Sequence, residues 1–138
     1  MSTLKEDLIR DEGIRLKPYR DDVGRLTIGV GRNLDDVGIT YNEAMMMLDH
    51  DMAVAEVELR KSKPELMCNE SMSQERKDVL INMAFNMGIT KLLTFKRMWW
   101  ALDKHDYITA AHEMGDSVWA GQVGPRAVRL VRIMKEGR

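Results

Sequence analysis

Glu12, Asp21 and Thr27 stand nine and six residues apart near the N-terminus. Two carboxyls and a hydroxyl brought to one cleft form the set that cleavage of a bond between two sugars requires. One carboxyl protonates the leaving oxygen. The other activates water or stabilises the oxocarbenium-like transition state. A threonine hydroxyl can hold the water. The same residues also suit plain structural work, with Glu12 closing a helix and Asp21 shaping a turn. Seventeen acids fall within residues 1–88 and offer many pairs, so spacing alone leaves both readings open.

The elements that must position this set are legible in outline. Thr3 and Glu6 have the spacing of a capping box and start a helix over residues 3–12, with Leu4, Leu8 and Ile9 as its apolar stripe and Gly13 as its stop. Pro18 opposes helix, Asp21-Asp22-Val23-Gly24 is turn chemistry, and Leu26, Ile28 and Val30 alternate with smaller residues. A β-hairpin around 16–31 is expected, too small to stand alone. Thr40 and Glu43 form a second capping box. Leu48, Met52, Ala55 and Leu59 then follow at helical spacing, so a long helix is expected over 41–60, ending near Pro64. At ~1.5 Å per residue it spans roughly 30 Å. Residues 74–87 are apolar on nearly every face after Asp78, the pattern of a helix at the centre of a bundle. Helices near 95–103, 107–114 and 125–135 are expected around it. The fold class is therefore α+β and mainly helical. It is one domain over 1–138, with a β-hairpin lobe at about 13–40, a linking helix at about 41–60, and a helical lobe at about 64–138 packed with helix 3–12.

Composition excludes several classes. The chain has 138 residues, 44% hydrophobic and 31% charged, as a folded domain should. Lys plus Arg number 21 and Asp plus Glu number 22, a formal net charge of -1 that disfavours nucleic acid as a partner. The single cysteine, Cys68, forms no internal disulfide. No apolar run approaches the roughly 20 residues of a membrane span, so stable membrane insertion is not expected. The charged N-terminus lacks the apolar core of a signal peptide. His50, His105 and His112 form no ligand cluster, so no metal and no cofactor are expected. The twelve methionines fall mostly at apolar positions, where flexible core filling is the expected role. Charge is uneven: residues 89–138 hold nine basic and five acidic side chains, with Arg126, Arg129, Arg132, Lys135 and Arg138 near the end. Such an end suits either an anionic partner surface or a solvated helix face.

The stretch LIRDEGIRLKPYRDDVGRLTIGVGRNL (residues 8–34) resembles the opening of the phage-type lysozymes, the endolysin muramidases of glycoside hydrolase family 24. Their pattern is a glutamate in D-E-G-x-R-L, an aspartate nine residues on, and a threonine six further in T-I-G-x-G. INMAFNMG (81–88) is similar to the family's core helix. SVWAGQVGPRAVRLV (117–131) is similar to its S-R-W…P-x-R-A-x-R segment. The resemblance implies hydrolysis of the β-1,4 bond between N-acetylmuramic acid and N-acetylglucosamine in bacterial peptidoglycan, usually with inversion. Glu12 would be the general acid, with Asp21 and Thr27 positioning water. Arg126 would orient Glu12, and Phe85 matches a sugar-contacting position. A monomer is implied, acting on the wall from the host bacterial cytoplasm after a holin-type partner permeabilises the membrane.

Some positions depart from the family pattern. Where long relatives have a histidine after T-I-G-x-G, this chain has Arg32, and the matching aspartate on the long helix is Asp51, so an Arg32–Asp51 ion pair is expected. Few residues separate Arg32 from Ile39, so extra strands of longer relatives are missing. Met98 and Glu113 occupy sugar-contacting positions without matching in type. Asn86 suits a sugar or peptide contact by type. The competing readings are a lysozyme-like peptidoglycan-binding or scaffolding domain without catalysis, and a small nucleic-acid binder using 125–138. The intact Glu12, Asp21 and Thr27 oppose the first, and the net charge opposes the second.

Overall fold

The computed structural model describes residues 1–138 and falls into two compact units, Met1–Met47 and Leu48–Arg138. The first unit opens with α1 (Leu4–Glu12). Thr3 Oγ1 accepts the Glu6 amide at 3.1 Å, and Glu6 Oε2 accepts the Thr3 amide at 2.8 Å, which is the capping box expected from sequence. Gly13 stops the helix at φ 78°, a backbone angle that glycine adopts without a Cβ clash. No residue of α1 is buried.

Three antiparallel strands follow in the order β1 (Arg15–Arg20), β2 (Leu26–Gly29) and β3 (Arg32–Asn33). The first two form the expected hairpin. The third goes beyond it, pairing Thr27 with Asn33 and Ile28 with Arg32. Pro18 lies in β1, an edge strand, where its missing N–H is tolerated, and the register shifts between Arg15 and Tyr19 around it.

The long helix α2 runs Tyr41–Ser62, two residues beyond the expected end. In the second unit come α3 (Pro64–Met67), α4 (Gln74–Met87), α5 (Ile89–Leu92), α6 (Lys96–Asp103), α7 (Tyr107–Gly115), α8 (Val118–Val123) and α9 (Pro125–Glu136). The expected helices at 74–87, 95–103, 107–114 and 125–135 are present with small changes of boundary. The short α3, α5 and α8 are additional.

The core of the second unit is aliphatic, methionine and tryptophan. Leu59, Leu80, Leu92 and Leu102 are fully buried, and six of the twelve methionines join them. Burial of each such side chain contributes roughly 1.5–3 kcal/mol. Met46, Met47 and Met52 on α2 are instead exposed, so core filling accounts for only part of the methionine content. The central-bundle expectation for α4 is likewise corrected. Val79, Leu80, Met83 and Ala84 are buried, but Phe85 is 42% exposed and Asn86 is exposed too. One face of α4 is open.

Candidate active site

Glu12 is the last residue of α1, immediately before the Gly13 stop. Its carboxylate rests on the turn joining β2 to β3. A Cβ placed on Gly31 would lie 2.8 Å from Glu12 Oε2 and 3.0 Å from its Cδ. Gly31 has φ 65°, so both the backbone angle and the close approach favour glycine there. The general-acid candidate thus sits against the sheet that carries the other two candidate residues.

Asp21 opens the β1–β2 turn. Its Oδ1 accepts the amides of Val23 at 3.1 Å and Arg25 at 2.8 Å, while its own amide donates to Arg25 O at 3.0 Å. One carboxylate oxygen therefore holds the turn, and Oδ2 makes no protein hydrogen bond. Asp22, its neighbour, is exposed and makes no side-chain hydrogen bond. Thr27 lies mid-strand in β2 at 3% exposure, the one buried polar residue of the chain. Its Oγ1 donates to Arg25 O at 2.9 Å. A hydroxyl has one hydrogen, so Thr27 Oγ1 can meet a further group only as an acceptor. Arg25 thus joins the two residues: its amide goes to Asp21 and its carbonyl takes the Thr27 hydroxyl.

Arg32 does not make the pair expected of it. Its guanidinium grips Glu43 with two parallel contacts, Nη1 to Oε1 and Nη2 to Oε2, both 2.8 Å, and Nη1 also donates to Gly38 O at 3.1 Å. The partner is Glu43, not Asp51. Glu43 is also the capping-box glutamate of α2, accepting the Thr40 amide at 2.9 Å while Thr40 Oγ1 accepts the Glu43 amide at 3.1 Å. The Arg32 guanidinium, followed by the Thr40 amide, holds the Glu43 carboxyl down to about 2. The capping box was visible in sequence. Its second use was not, because a glutamate at that position already has a local reason to be there.

Asp51 instead lines a cavity of about 300 Å³ in the second unit, together with Glu58 and Phe85. Phe85 also lines a neighbouring cavity of about 440 Å³ with Asn82 and Arg126. Arg126 donates Nε and Nη2 to Asn82 Oδ1 at 2.9 and 2.7 Å. Asn86 Oδ1 accepts the indole N–H of the buried Trp119 at 2.8 Å. That bond gives Asn86 a structural task and leaves its amide nitrogen for any ligand. Met98 and Glu113, the two departures from type, share a further depression of about 410 Å³ with Phe95 and Ser117.

A mainly helical chain with a three-stranded sheet, an acid on a helix end and a second acid in a hairpin turn has the architecture of a lysozyme-like glycoside hydrolase. Residues 10–132 match the phage lysozyme family, and the chain belongs to it. It is accordingly a lysozyme-class enzyme. It is 28% identical over 163 residues to probable T4-type lysozyme 1 of Dictyostelium discoideum, covering 99% of this chain and 96% of that protein. That aligned stretch is longer than the 138 residues here, so the relative carries residues this chain lacks. It is also 28% identical over 160 residues to the pre-baseplate central spike protein Gp5 of Enterobacteria phage T4, covering 98% of this chain and 28% of that protein. An endolysin of Acyrthosiphon pisum secondary endosymbiont phage 1 is 33% identical over 89 residues, 62% of this chain and 57% of its own length. No helix is long and apolar enough to cross a membrane.

Proposed function

We propose that this lysozyme hydrolyses the β-1,4 bond between N-acetylmuramic acid and N-acetylglucosamine in bacterial peptidoglycan, as a monomeric endolysin in host cell lysis. Glu12 is the general acid. It gives its proton to the glycosidic oxygen as the bond to the anomeric carbon breaks. A water donates one hydrogen to Asp21 Oδ2 and the other to Thr27 Oγ1, and its free lone pair attacks the anomeric carbon. The water's proton passes to Asp21. The sugar leaves with a new hydroxyl, and water inserted from the opposite face gives inversion. Phe85 offers an exposed ring for sugar contact, with the Asn86 amide nitrogen beside it in sequence. Arg126, held by Asn82, is an orienting residue. Access to the wall from the host cytoplasm depends on a holin-type permeabilising partner.

The observation that carries this reading is the placement of the Glu12 carboxylate on the Gly31 turn of the sheet that bears Asp21 and Thr27. The test follows turbidity of chloroform-treated Gram-negative cells with purified wild type and Glu12→Gln. Lysis by wild type alone is expected. Equal clearing by both removes Glu12 as the acid. Clearing by neither, with wall binding retained, favours a non-catalytic wall-binding domain.

A further inference from the structure

α6 buries Met98, Trp99, Ala101 and Leu102 and turns Lys96, Arg97 and Trp100 outward, with Lys104 just past its end. Trp100 is 61% exposed. The other two tryptophans are buried and spend their indole N–H groups, Trp99 on Leu92 O at 2.9 Å and Trp119 on Asn86. The Trp100 indole N–H has no protein partner. Lys104 Nζ lies 3.4 Å from the Trp100 ring centroid, and Lys96, Arg97 and Trp100 together line a shallow depression of about 390 Å³.

The cations here are also unneutralised. Arg10, Arg20, Arg25, Arg32, Arg60 and Arg132 all have carboxylate partners within 4.0 Å. Lys96, Arg97 and Lys104 have none, as is true of every lysine in the chain, so what sets this face apart is the exposed Trp100 between three such cations. Glu113 and Asp116 share the adjoining depression with Lys96 and Arg97 but make no ion pair with either.

We propose that this face of α6 is a docking surface for an anionic lipid bilayer, bound peripherally and reversibly. Charge complementarity gives the attraction: three free cations match the phosphates of acidic headgroups. The exposed indole selects the bilayer over a soluble polyanion. Its apolar body needs the acyl boundary, its free N–H meets headgroup oxygens, and a chain of phosphates offers only the latter. A sugar platform fits less well, since the Lys104 ammonium covers a ring face that a pyranose would stack on. The lysine and arginine stems suit the same boundary. This surface is independent of the glycosidic chemistry proposed above.

The test is co-sedimentation of the full chain with phosphatidylglycerol–phosphatidylcholine vesicles and with pure phosphatidylcholine vesicles, at low and high salt. Binding to the acidic vesicles alone is expected, weakening with salt. The Lys96→Ala/Arg97→Ala/Lys104→Ala variant should bind roughly tenfold or more weakly. Trp100→Ser should lose the blue shift of tryptophan emission on binding, against the constant background of buried Trp99 and Trp119. Both variants should keep the wild-type circular dichroism spectrum and cleave soluble wall fragments at the wild-type rate. No binding to acidic vesicles overturns the proposal, as does binding unchanged in both variants. Capture of soluble polyphosphate without vesicle binding also overturns it, in favour of a polyanion site.

Discussion

The Glu12 carboxylate occupies the space beside Gly31 that a side chain at position 31 would need. An acid at a helix terminus is otherwise free to rotate. Here the turn between β2 and β3 gives it a floor. Gly31→Ala would put a methyl 2.8 Å from Glu12 Oε2 and force an alanine to φ 65°, the latter costing about 1–2 kcal/mol. Displacing a reacting group by about 1 Å can cost roughly a hundredfold in rate. We therefore expect Gly31→Ala to lower kcat by ten- to a hundredfold or so, with melting only modestly reduced and a normal circular dichroism spectrum. Wild-type turnover in that variant would show that the acid does not depend on this floor.

Asp21 has two tasks on two oxygens, and substitutions can separate them. Asparagine keeps an oxygen to accept the Val23 and Arg25 amides, so Asp21→Asn should fold and melt nearly as wild type while losing most activity. Asp21→Ala removes both tasks and should lose stability too, by roughly 0.5–1.5 kcal/mol, since water can reach the exposed Val23 and Arg25 amides. For Thr27, serine keeps the hydroxyl and valine does not. Thr27→Val should lower kcat at nearly constant KM, and Thr27→Ser should recover much of it. A Thr27→Val effect confined to KM would mean that the hydroxyl binds sugar rather than water.

Glu43 should contribute to the acid limb of the stability curve, alongside Asp106, whose carboxyl is lowered by its hydrogen bonds from Thr109. A carboxyl held at about 2 in the folded chain and near its ordinary 4.5 when unfolded stabilises the fold fully above 4.5, and that contribution fades as pH falls toward 2. Chemical denaturation should find Glu43→Gln less stable than wild type at neutral pH, with the gap closing between about pH 4.5 and 2. Arg32 stays charged throughout, so this pair adds no slope between about pH 5 and 8. Arg32→His should introduce one: a histidine raised by Glu43 stabilises at low pH and loses that effect as pH rises through neutrality. A constant gap between wild type and Glu43→Gln down to pH 2 would place the acid dependence elsewhere.

What could be read from the sequence was what short-range chemistry determines. Thr3 with Glu6, and Thr40 with Glu43, satisfy backbone groups three residues away, and both capping boxes formed as their spacing implied. The hairpin followed from a proline, a turn and an alternation within sixteen residues. β3 did not, because two residues carry no period, and α3, α5 and α8, at four to six residues, are too short for a helical stripe. The Arg32–Glu43 pair and the Glu12–Gly31 contact join residues eleven and nineteen apart through loops whose path the sequence leaves unspecified. In α4 the apolar pattern runs nearly all round; Asn86 interrupts it by type, but nothing in the pattern marked the ring of Phe85 as part of an open face.

Arg76 ties the end of α9 to α4, and no pattern in the sequence announced it. Its Nε donates to Met134 O at 2.7 Å and its Nη2 to Lys135 O at 2.9 Å, two carbonyls of the last helical turn with no intrahelical partner of their own. The guanidinium lies 3.7 Å over the Tyr107 ring, and a Cβ on Gly137 would approach its Cζ at 3.0 Å. One side chain thus joins α4, α7 and α9, while Arg126 and Asn82 join α4 and α9 a second time. Arg76→Ala abandons two carbonyls and a stacked cation, a loss of about 2 kcal/mol, or roughly 6–10 °C in melting temperature. Lysine can reach one carbonyl as a point charge but cannot present a planar fork, so Arg76→Lys should recover less than half. Gly137→Ala should weaken the same tie by crowding the guanidinium from φ 82° backbone. In a double-mutant cycle the two losses should fall short of adding, because each breaks the same contact. Full additivity would show that Arg76 and Gly137 act separately.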